Sequence, residues 1–300
     1  MTWVRPTWLR HLTLAHYLVA PERLQALLPA GLQLETRRLP NGRVTGYVSV
    51  VLLEDALLAL PGPLPRFGPY VQFNLRTYVS QDGRRGVYFL CSHVSSPVAA
   101  HLVWNWLGVP FDAAPLRLSI SLASARTLGG PSRLPPLPPP SPGLAGAAGT
   151  GTAATSQQYL AFEGRPARSL RRAISSELLL AGVPTQSPPV PVPGFSSLAE
   201  TIDALGHPQW GFFDRNGHTY AYSVYHPPFV PWTWTNVTAR VKALEQLQLV
   251  GPQPPQEANQ DPQGDREKVT TTDLVGLGQP VSVFYVPELY FVIQLPPRRI

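Results

Sequence analysis

Residues 71 to 79 alternate between two faces: Val71, Phe73, Leu75 and Val79 share one, and Gln72, Asn74, Arg76 and Tyr78 share the other. A period of two demands an extended strand, because a helix would scatter the same apolar residues around its circumference. The turn Gln81-Asp82-Gly83 follows and Gly86 to Val94 resumes the pattern, so a hairpin is predicted. The polar face of this strand must meet either water or the inside of a closed sheet, and that choice governs everything inferred about function.

Other segments read the same way. Leu116, Leu118, Ile120 and Leu122 alternate with polar residues, and Asn216-Gly217 joins Trp210–Phe213 to Thr219–His226 as a second hairpin. Residues 281 to 295 make an apolar β run interrupted by Pro287. Three helices are signalled by their ends: Pro21 through Leu28 before Gly31; Ser96-Pro97 with Val98, Leu102 and Trp106 before Gly108; and the capping box Ser197 to Glu200 before Gly206. The predicted class is α+β, dominated by an antiparallel sheet.

Proline and glycine are abundant, 36 and 24 of 300 residues, and much of the excess falls in residues 129–155 and 251–268. Neither stretch holds enough apolar surface to offset ordering entropy, so both read as disordered insertions in a single domain spanning residues 1–300. The net charge of +6 is spread along the chain as arginine, Lys242 and Lys268 being the only lysines, and no basic stripe with interleaved aromatics exists. Nucleic-acid binding is therefore not expected. The lone Cys91 excludes an intrachain disulfide, and no apolar run approaches the length of a spanning helix, so the expectation is a soluble cytoplasmic protein without membrane contact.

The order of several segments resembles a known family. Ala20-Pro21-Glu22-Arg23-Leu24 with Leu28-Pro29-Ala30-Gly31-Leu32, then Tyr47-Val48-Ser49-Val50-Val51, Asn74-Leu75-Arg76-Thr77-Tyr78-Val79 and Gly86-Val87-Tyr88-Phe89 resemble the YqjF-like family of uncharacterised bacterial proteins. Gly108-Val109-Pro110-Phe111 and His226-Pro227-Pro228 continue the match. That family is similar to acetoacetate decarboxylase, which implies an antiparallel β-barrel or cone around an internal cavity with a few outer helices. In the decarboxylase a lysine after the Gly-x-Pro segment forms a Schiff base with the substrate; here Phe111 stands at that place, and phenylalanine forms no imine. The resemblance thus implies the fold without the reaction.

Candidate site residues follow from the strand faces. In a closed barrel, Asn74, Arg76 and Tyr78 would line the lumen and offer a small carboxylate a bidentate anion clamp. Alternatively that face meets solvent, or Arg76 pairs with Glu54 or Asp55. His226, fixed by two following prolines and facing with Tyr220, Tyr222 and Val224, is a candidate acid or base at a cavity mouth, with Phe111 as wall. His93, grouped with Val87, Phe89 and Cys91, reads as a hydrogen-bonded interior histidine, and Cys91 as an inert buried thiol. Histidine spacing suggests no metal set, and no cofactor is expected. Two functions fit: a small organic acid held in the barrel cavity, or a non-enzymatic interaction module with a filled barrel whose proline-rich loops, notably residues 134–140, contact a partner.

Overall fold

The computed structural model describes residues 3–55, 68–103, 108–114, 116–124, 156–164, 175–185, 191–215, 217–229, 232–245, 248–249, 269–270, 280–295 and 297–300. Both proline-rich insertions, 129–155 and 251–268, lie outside them, as does Trp106. In chain order the elements are β1 (Trp3–Val19), α1 (Pro21–Gln25), β2 (Val44–Asp55), β3 (Tyr70–Gln81), β4 (Arg84–Val94), α2 (Pro97–Leu102), β5 (Leu116–Ser124), β6 (Ser156–Gly164), β7 (Ser175–Thr185), α3 (Leu198–Thr201), β8 (Trp210–Arg215), β9 (His218–Tyr225), β10 (Trp232–Glu245) and β11 (Ser282–Leu295). Short two-residue strands decorate this frame. Lys242 lies in strand β10.

Hydrogen bonding runs β9-β8-β4-β3-β2-β1-β11, and β11 returns to β9 with Val224 opposite Ile293 and Tyr225 opposite Val292. Seven described strands thus form a near-closed ring. Further along the same edge, β11 pairs with β10, from which β7, β6 and β5 extend as a wing. An odd number of strands cannot alternate direction all the way round. The mismatch falls between β4 and β8, which pair in parallel at Gly86 to Tyr88 and Trp210 to Phe212, so the sheet is mixed where the sequence suggested an antiparallel one. A Cβ on Gly86 would lie 2.3 Å from the Trp210 carbonyl oxygen, so the missing side chain is what lets β8 approach.

Two bulges set which side chains face inward. In β1, Arg10 pairs with Glu54 of β2 but Thr13 with Leu52, so β1 carries one extra residue there, and His11 in that stretch has φ 53°. On the other side of β1 the register with β11 is unbroken, Arg10 opposite Glu288 and Leu12 opposite Val286, so β11 runs straight through Pro287, the residue expected to interrupt it. The extra residue flips the alternation: Thr7 and Leu9 face the lumen before the bulge, Leu12 and Leu14 after it. In β4, Phe89 pairs with Arg76 and Cys91 with Leu75, leaving Leu90 over. Cys91 and His93 consequently point away from Val87 and Phe89, although uniform alternation had grouped all four.

The caps behave as their residues dictate. Gln81-Asp82-Gly83-Arg84 turns β3 into β4 with positive φ at Asp82 (49°) and Gly83 (76°), the two-residue hairpin conformation that matches strand twist. Ser96 Oγ accepts from the Ala99 amide at 3.1 Å to start α2. Its inward residues are Ala99, Ala100 and Val103, whereas Val98, expected on that face, is 53% exposed, because the cap sets the phase of so short a helix. Ser197 Oγ caps the Glu200 amide at 3.1 Å, while the Glu200 carboxylate reaches back to Ser196 instead. A π-helical turn, Ile202–Gly206, then continues α3.

Inside the ring, Leu9, Leu12, Leu14, Val51, Leu53, Val87 and Leu289 pack together with Val192 and Leu205 from the segment entering and leaving α3. Outside it, Phe73, Leu75, Val48 and Val50 pack with Leu24 of α1 and Leu116 of the wing. Near Tyr70 and Val94, α2 and residues 108–114 add Ala99, Val103 and Val109. Both faces of β3 are therefore buried, which settles that its polar row does not face water. No helix among the described residues is long and apolar enough to cross a membrane.

Candidate functional site

The ring encloses a cavity of about 90 Å³. An engineered apolar cavity of about 150 Å³ holds benzene, so this one suits a molecule of only a few heavy atoms. Its wall is mostly Leu, Val and Phe, with Thr7, Asp55, Gln72, Asn74, Arg76 and His226 as polar points. Asn74, Arg76, His226 and Phe111, chosen from sequence, all line it.

Tyr78 shares the inward row but does not line the cavity; its hydroxyl is engaged in a buried chain beyond Arg76. Tyr78 donates to the Leu205 carbonyl at 3.0 Å, its oxygen lies 2.5 Å from Ser49 Oγ, and Ser49 Oγ lies 2.7 Å from His16 Nδ1. If Tyr78 gives its proton to Leu205, Ser49 must donate to Tyr78 and His16 Nδ1–H to Ser49, leaving His16 Nε2 as an acceptor with no partner. Complete burial, with the Arg76 charge adding to it, pushes His16 down to about 3 and keeps it neutral.

Arg76 is treated differently. Nη2 donates to the same Leu205 carbonyl at 3.3 Å, and the guanidinium carbon sits 5.9 Å from the Tyr78 ring centroid. Nε is buried with no hydrogen-bond partner. The carboxylates weighed for it are placed elsewhere: Arg76 forms no ion pair with Glu54 or Asp55. Asp55, 4% exposed, accepts from Thr7 Oγ1 and from the Tyr70 hydroxyl, the latter at 2.7 Å. A half-buried cation thus faces a small lumen without an ion pair, the Asp55 carboxylate on the same lumen being bonded to Thr7 and Tyr70.

His226 stacks on Phe291 at 5.9 Å and meets His207 edge-on at 4.8 Å. Burial lowers its pKa, and the His207 and Arg76 charges lower it further against the Pro227 carbonyl, so it is neutral at neutral pH. Residues 203–209 wall the cavity from a surface groove of about 280 Å³, with Gly206 toward the cavity, Asp203 and His207 toward the groove and Pro208 lining both. His93 is 8% exposed, but its Nε2 lacks the hydrogen bond expected of an interior histidine; burial lowers its pKa against the Asp112 charge. Burial pushes the Cys91 thiol up to about 12, far from a reactive thiolate. Among the described residues no three His, Cys, Asp or Glu converge as a metal site.

Three residues at or beside the lumen were undervalued in the sequence. Asp55 looked like part of a charged turn, yet extending the inward period of β2 from Val51 and Leu53 places it inside. Tyr222 was legible by counting back from His226 in twos. His207 carried no signal, since only the tertiary path of the α3 exit brings it to His226.

A family profile described as an uncharacterized conserved protein, DUF2071, matches residues 6–261. This chain belongs to that family. No curated protein matches the DUF2071 chain. Solved structures align with it over nearly its whole length at low identity. Acetoacetate decarboxylase from Legionella pneumophila is 11% identical with a TM-score of 0.49, covering 99% of this chain and 87% of that one. An acetoacetate decarboxylase-like enzyme from Sphingomonas wittichii RW1 is 13% identical with a TM-score of 0.47, covering 99% and 92%. The enduracididine biosynthesis enzyme MppR complexed with pyruvate is 14% identical with a TM-score of 0.44, covering 98% and 90%.

Proposed function

We propose that this DUF2071 protein binds a small organic acid in the lumen of an acetoacetate decarboxylase-like barrel, through Arg76 and Asn74, without Schiff-base chemistry. One observation carries the reading: Arg76 faces the cavity with a buried Nε that has no partner and with no carboxylate paired to it. A buried cation left this way is costly, and a ligand carboxylate would offset that cost with charge-assisted hydrogen bonds. Asn74, whose Oδ1 accepts from Gln72 Nε2 at 3.1 Å, lines the same lumen. Phe111 on the wall supplies bulk where an imine-forming enzyme needs an amine, and the described lumen contains no lysine. The interaction-module reading requires a filled barrel; the open space beside Arg76 favours a ligand, and residues 134–140 lie outside the described residues.

The test is thermal unfolding of the purified chain with acetate, propionate, pyruvate and acetoacetate, repeated with Arg76→Gln. An acid at 100 times its dissociation constant raises stability by about 2.7 kcal/mol. A shift that vanishes in the folded variant supports the lumen site; no shift with any of the four acids rejects it.

A further inference from the structure

We propose that Tyr222 is a specificity-determining residue of the lumen, its phenolic hydroxyl donating to an oxygen on the carbon next to the ligand carboxylate, which restricts the site to 2-oxo and 2-hydroxy acids. This deepens, and rests on, the carboxylate reading of Arg76.

Tyr222 lines the same cavity as Arg76 and is only 7% exposed. Its hydroxyl makes no hydrogen bond with any described residue, whereas Tyr70 on the same cavity and Tyr78 beyond it both donate. With no partner in the described protein, the hydroxyl of this cavity-lining residue is left to bond with what enters the lumen. The ring is firmly placed: it stacks on Phe89 at 6.2 Å and tilts against Phe213 at 6.1 Å, and Phe89 pairs across the ladder with Arg76. The backbone makes room for it, since a Cβ on Gly211 would lie 2.4 Å from the ring's Cζ and 2.7 Å from its oxygen. Burial raises the phenol's pKa, so it remains a donor at neutral pH. The lumen is therefore lined by the Arg76 guanidinium, whose Nε has no partner, and by Tyr222, whose hydroxyl has none, close enough for the Arg76 charge to act on the phenol, in a space sized for a few heavy atoms. A carboxylate with an adjacent carbonyl or hydroxyl satisfies both, and a plain alkanoate satisfies only the first.

Calorimetric titration of wild type, Tyr222→Phe and Arg76→Gln with propionate, pyruvate and lactate tests this. The phenylalanine variant loses no protein hydrogen bond and is expected to keep its melting temperature. Wild type should bind pyruvate and lactate more tightly than propionate, and Tyr222→Phe should weaken both by about tenfold while leaving propionate within about twofold. In the same samples, the ¹³Cζ resonance of Tyr222 should move on adding pyruvate and stay in place with propionate. Equal loss for all three acids, or no loss for any, overturns the role of Tyr222. Should Arg76→Gln abolish binding while Tyr222→Phe changes nothing, the carboxylate site survives and this inference alone falls. A wild-type chain that binds none of the three overturns both.

Discussion

Two sets of buried polar side chains lie within the same ring, and their hydrogen bonding separates them. Toward one side, Asp55 gathers Thr7 and Tyr70, and His16, Ser49 and Tyr78 hand protons in sequence to the Leu205 carbonyl. On the cavity that Asp55, Thr7 and Tyr70 also line, Arg76 Nε is buried without a partner, and the Tyr222 hydroxyl bonds to no described residue. The first arrangement closes on itself except at His16 Nε2 and specifies the packing of the ring; the second is complete only with something added. Hydrogen-bond satisfaction, rather than polarity or burial, distinguishes a strut from a site.

The sharpest way to break the comparison is through pH. Folded His16 stays neutral down to about 3, whereas the unfolded chain binds a proton below the ordinary 6.5, so between those values the unfolded state holds more protons and stability falls with pH. The loss attributable to His16 is roughly 4 to 5 kcal/mol across that window. Burial also lowers His11, His93 and His226, which steepens the same slope. Urea unfolding at pH values between 7 and 4 should show a distinctly shallower decline in His16→Gln; an unchanged slope would remove His16 as a structural strut.

Next in size, Asp55→Ala leaves the Thr7 and Tyr70 hydroxyls buried without their acceptor and is expected to cost roughly 3 kcal/mol in urea unfolding. A loss below about 1 kcal/mol would mean that this cluster is no more self-contained than the cavity. Gly211→Ala forces the Tyr222 ring to move, at a cost of roughly 2 kcal/mol, and should weaken pyruvate binding as well as stability. The smallest effect sharpens the contrast most. Arg76→Met removes a half-buried unpaired cation, so stability should stay within about 1 kcal/mol of wild type or rise, while the acid-induced thermal shift disappears. A large destabilisation would instead make Arg76 a strut like Tyr78.

Much of this was legible one residue at a time. The alternation of 71 to 79 placed Asn74 and Arg76 together, and counting in twos through β9 placed His226 with Tyr222 and Val224. Reading failed where a single extra residue changed the phase. At Leu90 the bulge turned Cys91 and His93 outward, and between Arg10 and Thr13 it shifted the phase of β1. The central strand β1 went unrecognised because its arginines and histidines interrupt an otherwise apolar run, and their tolerance depends on neighbours far along the chain. Tyr78 belonged to the right row for the wrong purpose, since its hydroxyl is claimed by Ser49 and by Leu205, 127 residues away.

By itself, then, the sequence determined the period of each strand, its turns and caps, and which polar residues share a face, because those follow from backbone geometry over a few residues. Only the tertiary structure decided that β3 is buried on both faces, that seven strands meet with one parallel joint, and which lumen groups find partners. Ring closure and hydrogen-bond satisfaction depend on contacts between distant segments, and no local pattern encodes whether a donor's acceptor will be there.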